Sequence, residues 1–584
     1  MSVIIRVLAV LLLLNLASAF PPSASAEEET SDPYGTVRLS RISLIEGEVL
    51  LQRGDDEEWV AASVNMPLRP HDKLWATDDA RAEVQFDDGT VVRLAENTNL
   101  DLLSLEPDWI QLQLTLGVAS FAVHVSSRTA AHRPFLEIDT PQATTQVTRS
   151  TAFRVDVAED GSTVITVRDG EVELNRDEEP IVIARNQRVS IEGGDTPRYL
   201  LESAQEPDEW DRWTENRDTQ RARAEDHEHL PSETEIGVTE LYAYGRWDQL
   251  SSYGWVWVPQ VAVGWVPYHV GRWVWVEPWG WTWVSYEPWG WLPYHYGRWV
   301  VVGGMGWVWV PGPTLGIWTP GCVRFFYGPN WVGWVPLGPG EVYYYHPGVS
   351  VNININLVNY RVPGAAIVMS RRRFVTGTAE EKRFVPPKDP IRAGRVAVGP
   401  PPVVPTRASL HPAPGKAVRA DRLPPRMIHR PVVYTRPPSA PPPLFEHRVK
   451  EIHGVITQGR PPAAPSLPEK GVPGAEERRA AREKIHKDIT VREVITPSRP
   501  SAVPKRAPGL PEERAAPSHE AKKMQPSPPK SVKLPRTPSE PSAPQTLEGR
   551  TQQVRPLYRM PPQSNPKPGV VLPPQGGGSG GTGR

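Results

Sequence analysis

Cysteine and long apolar runs are scarce in this chain. Among 584 residues Cys322 is the only cysteine, so no internal disulfide can form and stability must come from buried surface. The sequence also lacks a Gly-x-Ser-x-Gly motif, a P-loop, a Rossmann glycine set, a His-Glu-x-x-His motif and a cysteine pair. We therefore predict a protein that is not an enzyme and holds no cofactor or metal, with Cys322 as a small buried hydrophobe.

The one notable apolar run lies at the N terminus. Arg6 precedes the unbroken apolar stretch 7–14, and small-x-small cleavage sites follow at 17–19 and 24–26. The run is too short to span a bilayer well, because spanning needs ~20 residues. We predict that residues 1–26 are a signal peptide and that no transmembrane segment follows it. The mature protein is then exported, to the periplasm or beyond; an uncleaved membrane anchor is the alternative.

Charge and proline divide the chain in two. Residues 1–360 hold 25 Lys and Arg against 50 Asp and Glu, whereas residues 361–584 hold 40 against 17, together with 43 of the 67 prolines. Such a segment cannot bury enough apolar area to offset its ordering entropy, so residues 363–584 are predicted to form a disordered, basic, proline-rich tail. Its charge suggests an anionic partner: an acidic polymer, anionic lipid, nucleic acid or the chain's own acidic body. We expect an anionic polymer and no specific nucleic acid.

Residues 35–200 have the pattern of an all-β domain. Arg81–Phe86 alternates between polar and apolar residues, turn residues follow, and Val91–Leu94 returns, which predicts a hairpin. A second hairpin is predicted over residues 151–167. Many short strands separated by turn signals favour a sandwich, a barrel or a solenoid.

Several motifs in this region resemble those of a FecR domain. In chain order they are Gly47-Glu48-Val49-x-Leu51, Leu68…Asp72-Lys73-Leu74, Phe86-Asp87-Asp88-Gly89-Thr90, Gly117-Val118-Ala119-Ser120-Phe121, Ile138-Asp139-Thr140-Pro141-Gln142-Ala143, Ser150-Thr151-Ala152-Phe153-Arg154-Val155, Thr163-Val164-Ile165-Thr166-Val167 and Asp169-Gly170-Glu171-Val172. The resemblance implies a β domain that senses a partner protein in the periplasm. FecR proteins of the signalling type carry a cytoplasmic anti-sigma segment and a transmembrane helix before this domain, whereas here an export signal takes their place. The resemblance therefore implies the fold rather than the transcriptional role.

Residues 206–229 are predicted to form a connector helix. Trp210 and Trp213 are three residues apart and share one helix face, and the remaining positions are mostly charged. We expect the helix to dock through these two tryptophans.

Tryptophan is concentrated in a repeat with a period of 26 residues. Seventeen of the 22 tryptophans lie between residues 244 and 338, where Gly254-Trp255-Val256-Trp257 recurs as Gly280-Trp281-Thr282-Trp283 and as Gly306-Trp307-Val308-Trp309. Period-2 placement of the tryptophans predicts two strands per repeat, arranged as an antiparallel meander, a partial barrel or a blade-like array over residues 240–362. The region resembles a Trp-rich domain of unknown function that often follows a FecR domain in exported bacterial proteins, and the resemblance implies no activity.

These aromatic residues could form either a core or a ligand platform. Nearly all seven tryptophans of residues 270–295 must be buried to offset the ordering entropy of one repeat, so most are predicted to be core. The remaining indoles could stack on sugar rings, and the arginine before a tryptophan in each repeat is predicted to lie over an indole face. The candidate surface for a ligand or partner comprises Arg246, Arg272, Arg298, Tyr268, His269, Tyr294, His295, Trp279 and Trp289.

Two functions follow from these observations. The leading hypothesis is a non-enzymatic envelope protein that acts as a binding or structural scaffold, with cell-wall glycan as the expected target. The alternative is a periplasmic sensing or regulatory module that binds an envelope protein through the FecR-like domain.

Overall fold

A computed structural model describes residues 38–124, 135–175, 179–193, 197–225, 229–230, 236–312, 318–343, 357–378, 384–397, 399–413 and 418–458. The predicted signal peptide and the part of the predicted tail from residue 459 onward lie outside the described residues. None of the helices within the described ranges is long and apolar enough to cross a membrane.

The FecR-like domain is built almost entirely from short strands, as predicted. Its strands are β1 (Ser40–Glu46), β2 (Val49–Gln52), β3 (Trp59–Ala61), β4 (Pro67–Leu68), β5 (Lys73–Ala76), β6 (Arg81–Phe86), β7 (Val91–Leu94), β8 (Thr98–Glu106), β9 (Trp109–Gln113), β10 (Gly117–Val123), β11 (Phe135–Asp139), β12 (Thr144–Val147), β13 (Thr151–Val157), β14 (Thr163–Asp169), β15 (Glu171–Asn175), β16 (Ile181–Ala184), β17 (Gln187–Glu192) and β18 (Arg198–Ser203). Both predicted hairpins are present, β6–β7 and β13–β14. In the first, Gly89 has a φ of +84° in the turn, a conformation that favours glycine.

The strands divide into two nine-stranded sheets. One has the order β18-β17-β14-β13-β10-β7-β6-β1-β4, and the other has the order β16-β15-β12-β11-β9-β8-β5-β2-β3. Neighbours are antiparallel except β9 and β11, which run parallel. Apolar residues of both sheets share one core, and in β13 the alternation of the sequence buries Phe153, Val155 and Val157. The polar residues of each strand are thereby directed away from the core.

The connector helix, α1 (Glu209–Glu225), docks on the first sheet through its two tryptophans, as predicted. The rings of Trp210 and Trp213 stack with centroids 5.0 Å apart, and the guanidinium of Arg81 lies over both. The Trp210 indole N–H donates to Ser120 Oγ at 2.8 Å.

The Trp-rich domain repeats one hairpin with a constant register. Its elements are α2 (Val238–Tyr244), β19 (Gly245–Leu250), β20 (Gly254–Pro259), β21 (Gly271–Val276), β22 (Gly280–Ser285), α3 (Trp291–His295), β23 (Arg298–Val302), β24 (Gly306–Val310), β25 (Val323–Tyr327) and β26 (Trp331–Pro336). Cross-strand pairs stand at the centre of the three hairpins: Trp247 with Trp257, Trp273 with Trp283 and Trp299 with Trp309. The 26-residue spacing of the sequence therefore corresponds to one two-stranded unit with one tryptophan pair.

The hairpins do not form a continuous meander. The first and third join in a sheet with the order β19-β20-β24-β23, through the pair Trp257 and Trp309, whereas β21 and β22 form a two-stranded sheet of their own. The antiparallel prediction is confirmed, and the meander is wrong. The second hairpin instead packs its aromatic rings against other parts of the domain: the Trp273 ring lies 4.6 Å from Phe325, and the Trp281 ring lies 4.6 Å from Phe374.

Chain beyond residue 363, predicted to be disordered, contributes ordered structure as far as residue 458. The elements are β27 (Ile367–Ser370), α4 (Arg371–Thr376), α5 (Pro390–Ala393), β28 (Arg395–Val396), 3₁₀ turns at Arg407–Leu410, Ala420–Arg422 and Arg426–His429, and α6 (Phe445–Gln458). Strands β27 and β28 flank β25 and β26 in a four-stranded sheet. The predicted start of the disordered tail is therefore corrected. The segment has few apolar residues, and it buries some of them, such as Leu410, Ile428 and Phe445, against the two preceding domains.

The two domains meet at a buried arginine. Arg41 on β1 is fully buried and donates from Nη1 to Asn65 Oδ1 at 2.7 Å and from Nη2 to Glu240 Oε1 on α2 at 2.8 Å. Its guanidinium also lies 5.7 Å from the ring centroid of Trp291. Asn65 in turn donates to the carbonyl oxygen of Glu287 at 2.8 Å. The FecR-like domain is thereby joined to the Trp-rich domain by hydrogen bonds of the buried side chains of Arg41, Asn65 and Glu240.

Candidate partner-binding face

The predicted ligand surface of the Trp-rich domain is mostly buried. Six of its nine residues, Arg272, Tyr268, Tyr294, His295, Trp279 and Trp289, are buried; Arg298 is half-buried, and Arg246 and His269 are exposed. The structure therefore does not bring the nine side chains together on one accessible surface.

The two tyrosines have structural partners. The Tyr268 hydroxyl donates to the carbonyl oxygen of Tyr294 at 2.7 Å, and the Tyr294 hydroxyl donates to Glu287. Burial raises the pKa of Glu287 to about 7, although its hydrogen bonds from Tyr294 and Trp265 act in the opposite direction. These groups satisfy one another inside the domain.

His295 also belongs to the core. Its Nδ1 lies 2.7 Å from the carbonyl oxygen of Thr319, and its ring stacks on Trp318 with centroids 4.9 Å apart. Burial lowers the pKa of His295 to about 3, so the imidazole is neutral at physiological pH. The structural interpretation of this histidine is therefore favoured over a ligand role.

The prediction that the repeat arginines lie over indole faces is wrong. Within the described residues, Arg246, Arg272 and Arg298 make no cation–π contact; such contacts belong to Arg41, Arg81 and other arginines. The guanidinium of Arg272 instead donates to the carbonyl oxygens of Val375 and Ala408 at 3.4 and 3.2 Å, and that of Arg298 donates to the carbonyl oxygen of Glu341 at 2.7 Å. A buried guanidinium needs acceptors for its N–H groups, and an indole face satisfies fewer of them.

Most tryptophans of this domain belong to its hydrophobic core. Fourteen of the 17 tryptophans between residues 244 and 338 are buried; Trp247 and Trp265 are half-buried, and Trp255 is 37% exposed. Several buried indoles donate to backbone carbonyls, as Trp257 does to Leu241 at 2.8 Å. Little indole surface is left for stacking on a sugar.

A different surface stands out on the FecR-like domain. We define the polar face as the outward side chains of β9, β11 and β12, namely Gln111, Gln113, Glu137, Asp139, Thr144 and Gln146. The register aligns them in rows, with Glu137 between Gln111 and Gln146, and Asp139 between Gln113 and Thr144. The opposite side of the same strands enters the core through residues such as Leu112, Leu136 and Ile138.

An extended segment of the chain lies across the polar face. We define the strap as residues 399–413 and 418–445; these include the three 3₁₀ turns, and the extended part that contacts the polar face is residues 433–436. Sheet side chains contact its backbone: Thr144 Oγ1 donates to the carbonyl oxygen of Val433 at 2.7 Å, and Gln111 Nε2 donates to that of Arg436 at 2.9 Å. The Thr435 N–H donates to Glu137 Oε1 at 3.1 Å. The sheet thus holds an extended backbone with its side chains.

Two side chains of the strap, those of Ile428 and Arg436, also contact the FecR-like domain. Ile428 is buried beside Leu50, Trp75 and Leu116, and the Thr115 hydroxyl donates to its carbonyl oxygen at 2.9 Å. The second side chain is that of Arg436, whose guanidinium lies 5.5 Å from the Trp109 ring centroid and 3.5 Å from Glu106 Oε2. An apolar anchor and a basic anchor therefore fix the register of the strap.

Asp56 binds the beginning of the strap. The Arg407 guanidinium donates to its Oδ1 at 2.6 Å, and His411 Nε2 lies 2.8 Å from its Oδ2. Burial alone would raise the pKa of Asp56, but the hydrogen bonds from His411 and Arg407 outweigh burial and lower it. The basic segment thus binds the acidic body of the same chain, which was one of the anionic partners considered for it.

Two aspartates of the FecR-like domain, Asp139 and Asp101, have raised pKa values. Burial, followed by the neighbouring Glu137 carboxylate, raises the pKa of Asp139 to about 8, although a hydrogen bond from Gln111 acts in the opposite direction. Burial also raises the pKa of Asp101 to about 6, with Lys73 acting in the opposite direction. Both side chains are covered from solvent. No group of three or more His, Cys, Asp or Glu residues within the described ranges is arranged to hold a metal ion.

Sequence reasoning missed the polar face and the strap. The signal for the face is present: Glu137 and Asp139 alternate with Leu136 and Ile138, which places two acids on the outer side of one strand. The strap gives no comparable signal, because its few apolar anchors are isolated between prolines and show no period.

Comparison with known proteins gives two family matches. Residues 72–173 match the family described as FecR protein. The chain carries a FecR domain. Residues 238–341 match a family of unknown function, DUF6600, so the predicted order of a FecR domain followed by a Trp-rich domain of unknown function is confirmed. No curated protein matches the chain.

Solved structures give a weaker similarity. Two crystal structures of a candidate anti-sigma factor from Parabacteroides distasonis ATCC 8503 are 21% and 22% identical to this chain. Each match covers 23% of this chain and 59% of the other, with a TM-score of 0.20. The chain thus spans less than two thirds of the length of these structures, and a similarity at this level carries no functional conclusion.

Proposed function

We propose that this protein is a non-enzymatic, partner-binding protein of the bacterial cell envelope, and that its FecR domain receives a protein partner. The observation that carries the proposal is the polar face, where Thr144, Gln111 and Glu137 bind the backbone of an extended segment. Such a face suits recognition of a polypeptide, because main-chain hydrogen bonds supply affinity largely independent of sequence. The sensing hypothesis is thereby favoured over the glycan scaffold.

The Trp-rich domain has a supporting part in this proposal. Its tryptophans are mostly buried, and Arg41 joins it to the FecR domain through Asn65 and Glu240. It therefore holds the FecR domain rigidly and covers one end of it. A cell-wall glycan would have to bind at Trp255 and its half-buried neighbours, which offer little area.

Photo-crosslinking in cells tests this function. A photoreactive amino acid replaces Glu173, which is exposed on β15 opposite Gln146, and in a matched control it replaces Val263, which is fully exposed in the Trp-rich domain. We expect a discrete envelope-protein adduct from position 173 and none from position 263. Purified cell-wall glycan should not retain the full chain in a sedimentation assay. Retention that Trp255→Ala abolishes, with no adduct from position 173, would establish the glycan scaffold instead.

A further inference from the structure

We propose that the polar face is a binding site for an extended, basic, proline-containing segment of the partner, and that the strap is the chain's own occupant of this site. This inference rests on the proposed function and specifies its ligand. Opening of the strap then regulates access of the partner to the FecR domain.

Recognition at this face is directed at backbone. The sheet contacts the main-chain groups of Val433, Thr435 and Arg436, and the Val433 N–H also donates to the carbonyl oxygen of Thr140 at 3.0 Å. The side chains of these three strap residues are themselves exposed. Thr435 adds a side-chain contact, because its hydroxyl donates to Glu137 Oε2 and accepts from Gln146 Nε2. A segment with other side chains at positions 433 and 434 can therefore make the same main-chain hydrogen bonds, provided that it is extended.

Charge selects a basic segment. Between residues 399 and 445 the chain has seven Lys and Arg and one acidic residue. Arg436 lies against Trp109 and Glu106, and the Arg430 guanidinium donates to the carbonyl oxygen of Glu159 at 2.8 Å. The same region of the sheet carries the Glu137 carboxylate, which accepts from the Thr435 N–H. A cationic segment complements these acceptors, and an acidic segment would be repelled.

Proline fits the geometry of the site. Pro431, Pro437 and Pro438 flank residues 432–436, which include the three residues that the sheet binds through their main chain. Proline has no N–H that would need an acceptor, and it holds the chain in the extended polyproline II conformation, so less entropy is lost on binding. The preferred ligand therefore has prolines on both sides of a short extended stretch that contains an arginine.

The strap is suited to release. From residue 426 to residue 445 only Ile428 and Phe445 are buried, so this part of the strap contributes little to the hydrophobic core. Segments with few buried apolar contacts open locally at low free-energy cost. Tethering compensates for weak contacts, because it keeps the strap at a high effective concentration near the face. A partner segment must therefore compete with an occupant that is always present.

Binding of a labelled peptide to purified full-length protein tests the proposal. The peptide has the sequence of residues 426–445, and fluorescence anisotropy reports its binding. The double variant Val433→Pro/Thr435→Pro removes both N–H groups that the strap donates to the sheet and leaves the polar face unchanged. We expect the peptide to bind this variant at least about tenfold more tightly than the wild type, because the tethered competitor is weakened.

Matched variants make the result specific. Tyr434→Ala changes an exposed side chain of the strap and should leave peptide binding as weak as in the wild type. Thr144→Val, added to the opened variant, removes one hydroxyl with little change of shape and should weaken peptide binding about fivefold. A scrambled peptide of the same composition should bind none of these proteins. Far-UV circular dichroism checks that each variant is folded.

Three results would overturn the proposal. They are equal peptide affinity for the wild type and the opened variant, equal affinity of the scrambled peptide, and a dimer of the wild type in light scattering in which the strap of one copy fills the face of another. All of these measurements use purified components. Their outcome is therefore separate from the crosslinking result, which reports whether an envelope protein binds at all.

Discussion

The two domains of this protein use opposite chemistry for their cores and their surfaces. In the FecR domain the core consists mainly of aliphatic residues from two sheets, and the side chains of the proposed site are the polar ones of β9, β11 and β12 on the outside. In the Trp-rich domain the conspicuous tryptophans are inside, in cross-strand pairs such as Trp273 with Trp283. Aromatic abundance therefore marks a core here, and the binding site that we propose is an ordinary polar sheet face.

The reason for this difference lies in what an indole can do. It fills a large volume, and its N–H can donate to a carbonyl that would otherwise be buried without a partner, as Trp281 does to Val403 at 2.8 Å. A repeat of only 26 residues has little aliphatic volume, so tryptophan pairs supply the core that the FecR domain obtains from two large sheets.

The largest effect is expected from breaking a tryptophan pair. Trp283 is buried against Trp273, with ring centroids 5.4 Å apart, and Trp283→Ala should lower the free energy of unfolding by about 3–5 kcal/mol. Trp281→Ala should cost a similar amount, because its ring is equally buried. Urea unfolding followed by circular dichroism measures both, and the three repeats should unfold together. The control is Trp255→Ala, at a partly exposed ring, which should cost much less; unchanged stability of Trp283→Ala would show that the indole is not core.

The junction between the domains should be the next most sensitive point. Arg41→Ala leaves Glu240 and Gln85 buried without their cation, which should cost about 3 kcal/mol. We expect the single unfolding transition to separate into two, one for each domain, in calorimetry. Arg41→Lys should rescue only part of the loss, because a lysine cannot reproduce the planar arrangement of donors. One unchanged transition in Arg41→Ala would mean that the domains are held together elsewhere.

The parts of the fold that could be predicted from the sequence are those with a periodic pattern. Alternation predicted β6 and β7, the 26-residue spacing predicted a two-stranded repeat, and the paired tryptophans of α1 predicted its docking. Assembly was not predictable: no local pattern shows that the hairpin containing Trp273 stands apart from the other two. The nine candidate residues were chosen for their chemistry, and most are buried because the same chemistry satisfies a core. Docking of the strap depends on contacts more than 250 residues apart in sequence, such as Thr144 with Val433.

A pH effect is expected from the covered polar face of the FecR domain. The pKa of Asp139 is raised from 3.8 to about 8 in the folded protein, so between these values the folded state binds a proton that the unfolded chain has released. Its contribution to stability is therefore full below pH 4 or so and falls as the pH rises towards 8, by at most ~1.4 kcal/mol per pH unit. Urea unfolding across this range should show a steeper loss in the wild type than in Asp139→Asn.

The matched control for this pH effect is Asp160→Asn. Asp160 is an exposed acid in the turn between β13 and β14, and its pKa is lowered by hydrogen bonds from Ser162. This variant should keep the steep loss that is attributed to Asp139. Identical pH profiles for the wild type and Asp139→Asn would contradict protonation of the buried acid.

The smallest effect is expected where the FecR domain is most exposed. Arg149 Nη1 lies 2.6 Å from Glu171 Oε1, but the two side chains are 69% and 41% exposed, so water and salt screen the attraction. Arg149→Ala should change the free energy of unfolding by no more than about 0.5 kcal/mol, whereas Arg41 forms an ion pair of similar length inside the protein. A double-mutant cycle with Glu171→Ala at low and high salt measures the pair directly. A coupling as large as the loss in Arg41→Ala would show that distance rather than burial decides the strength of ion pairs in this domain.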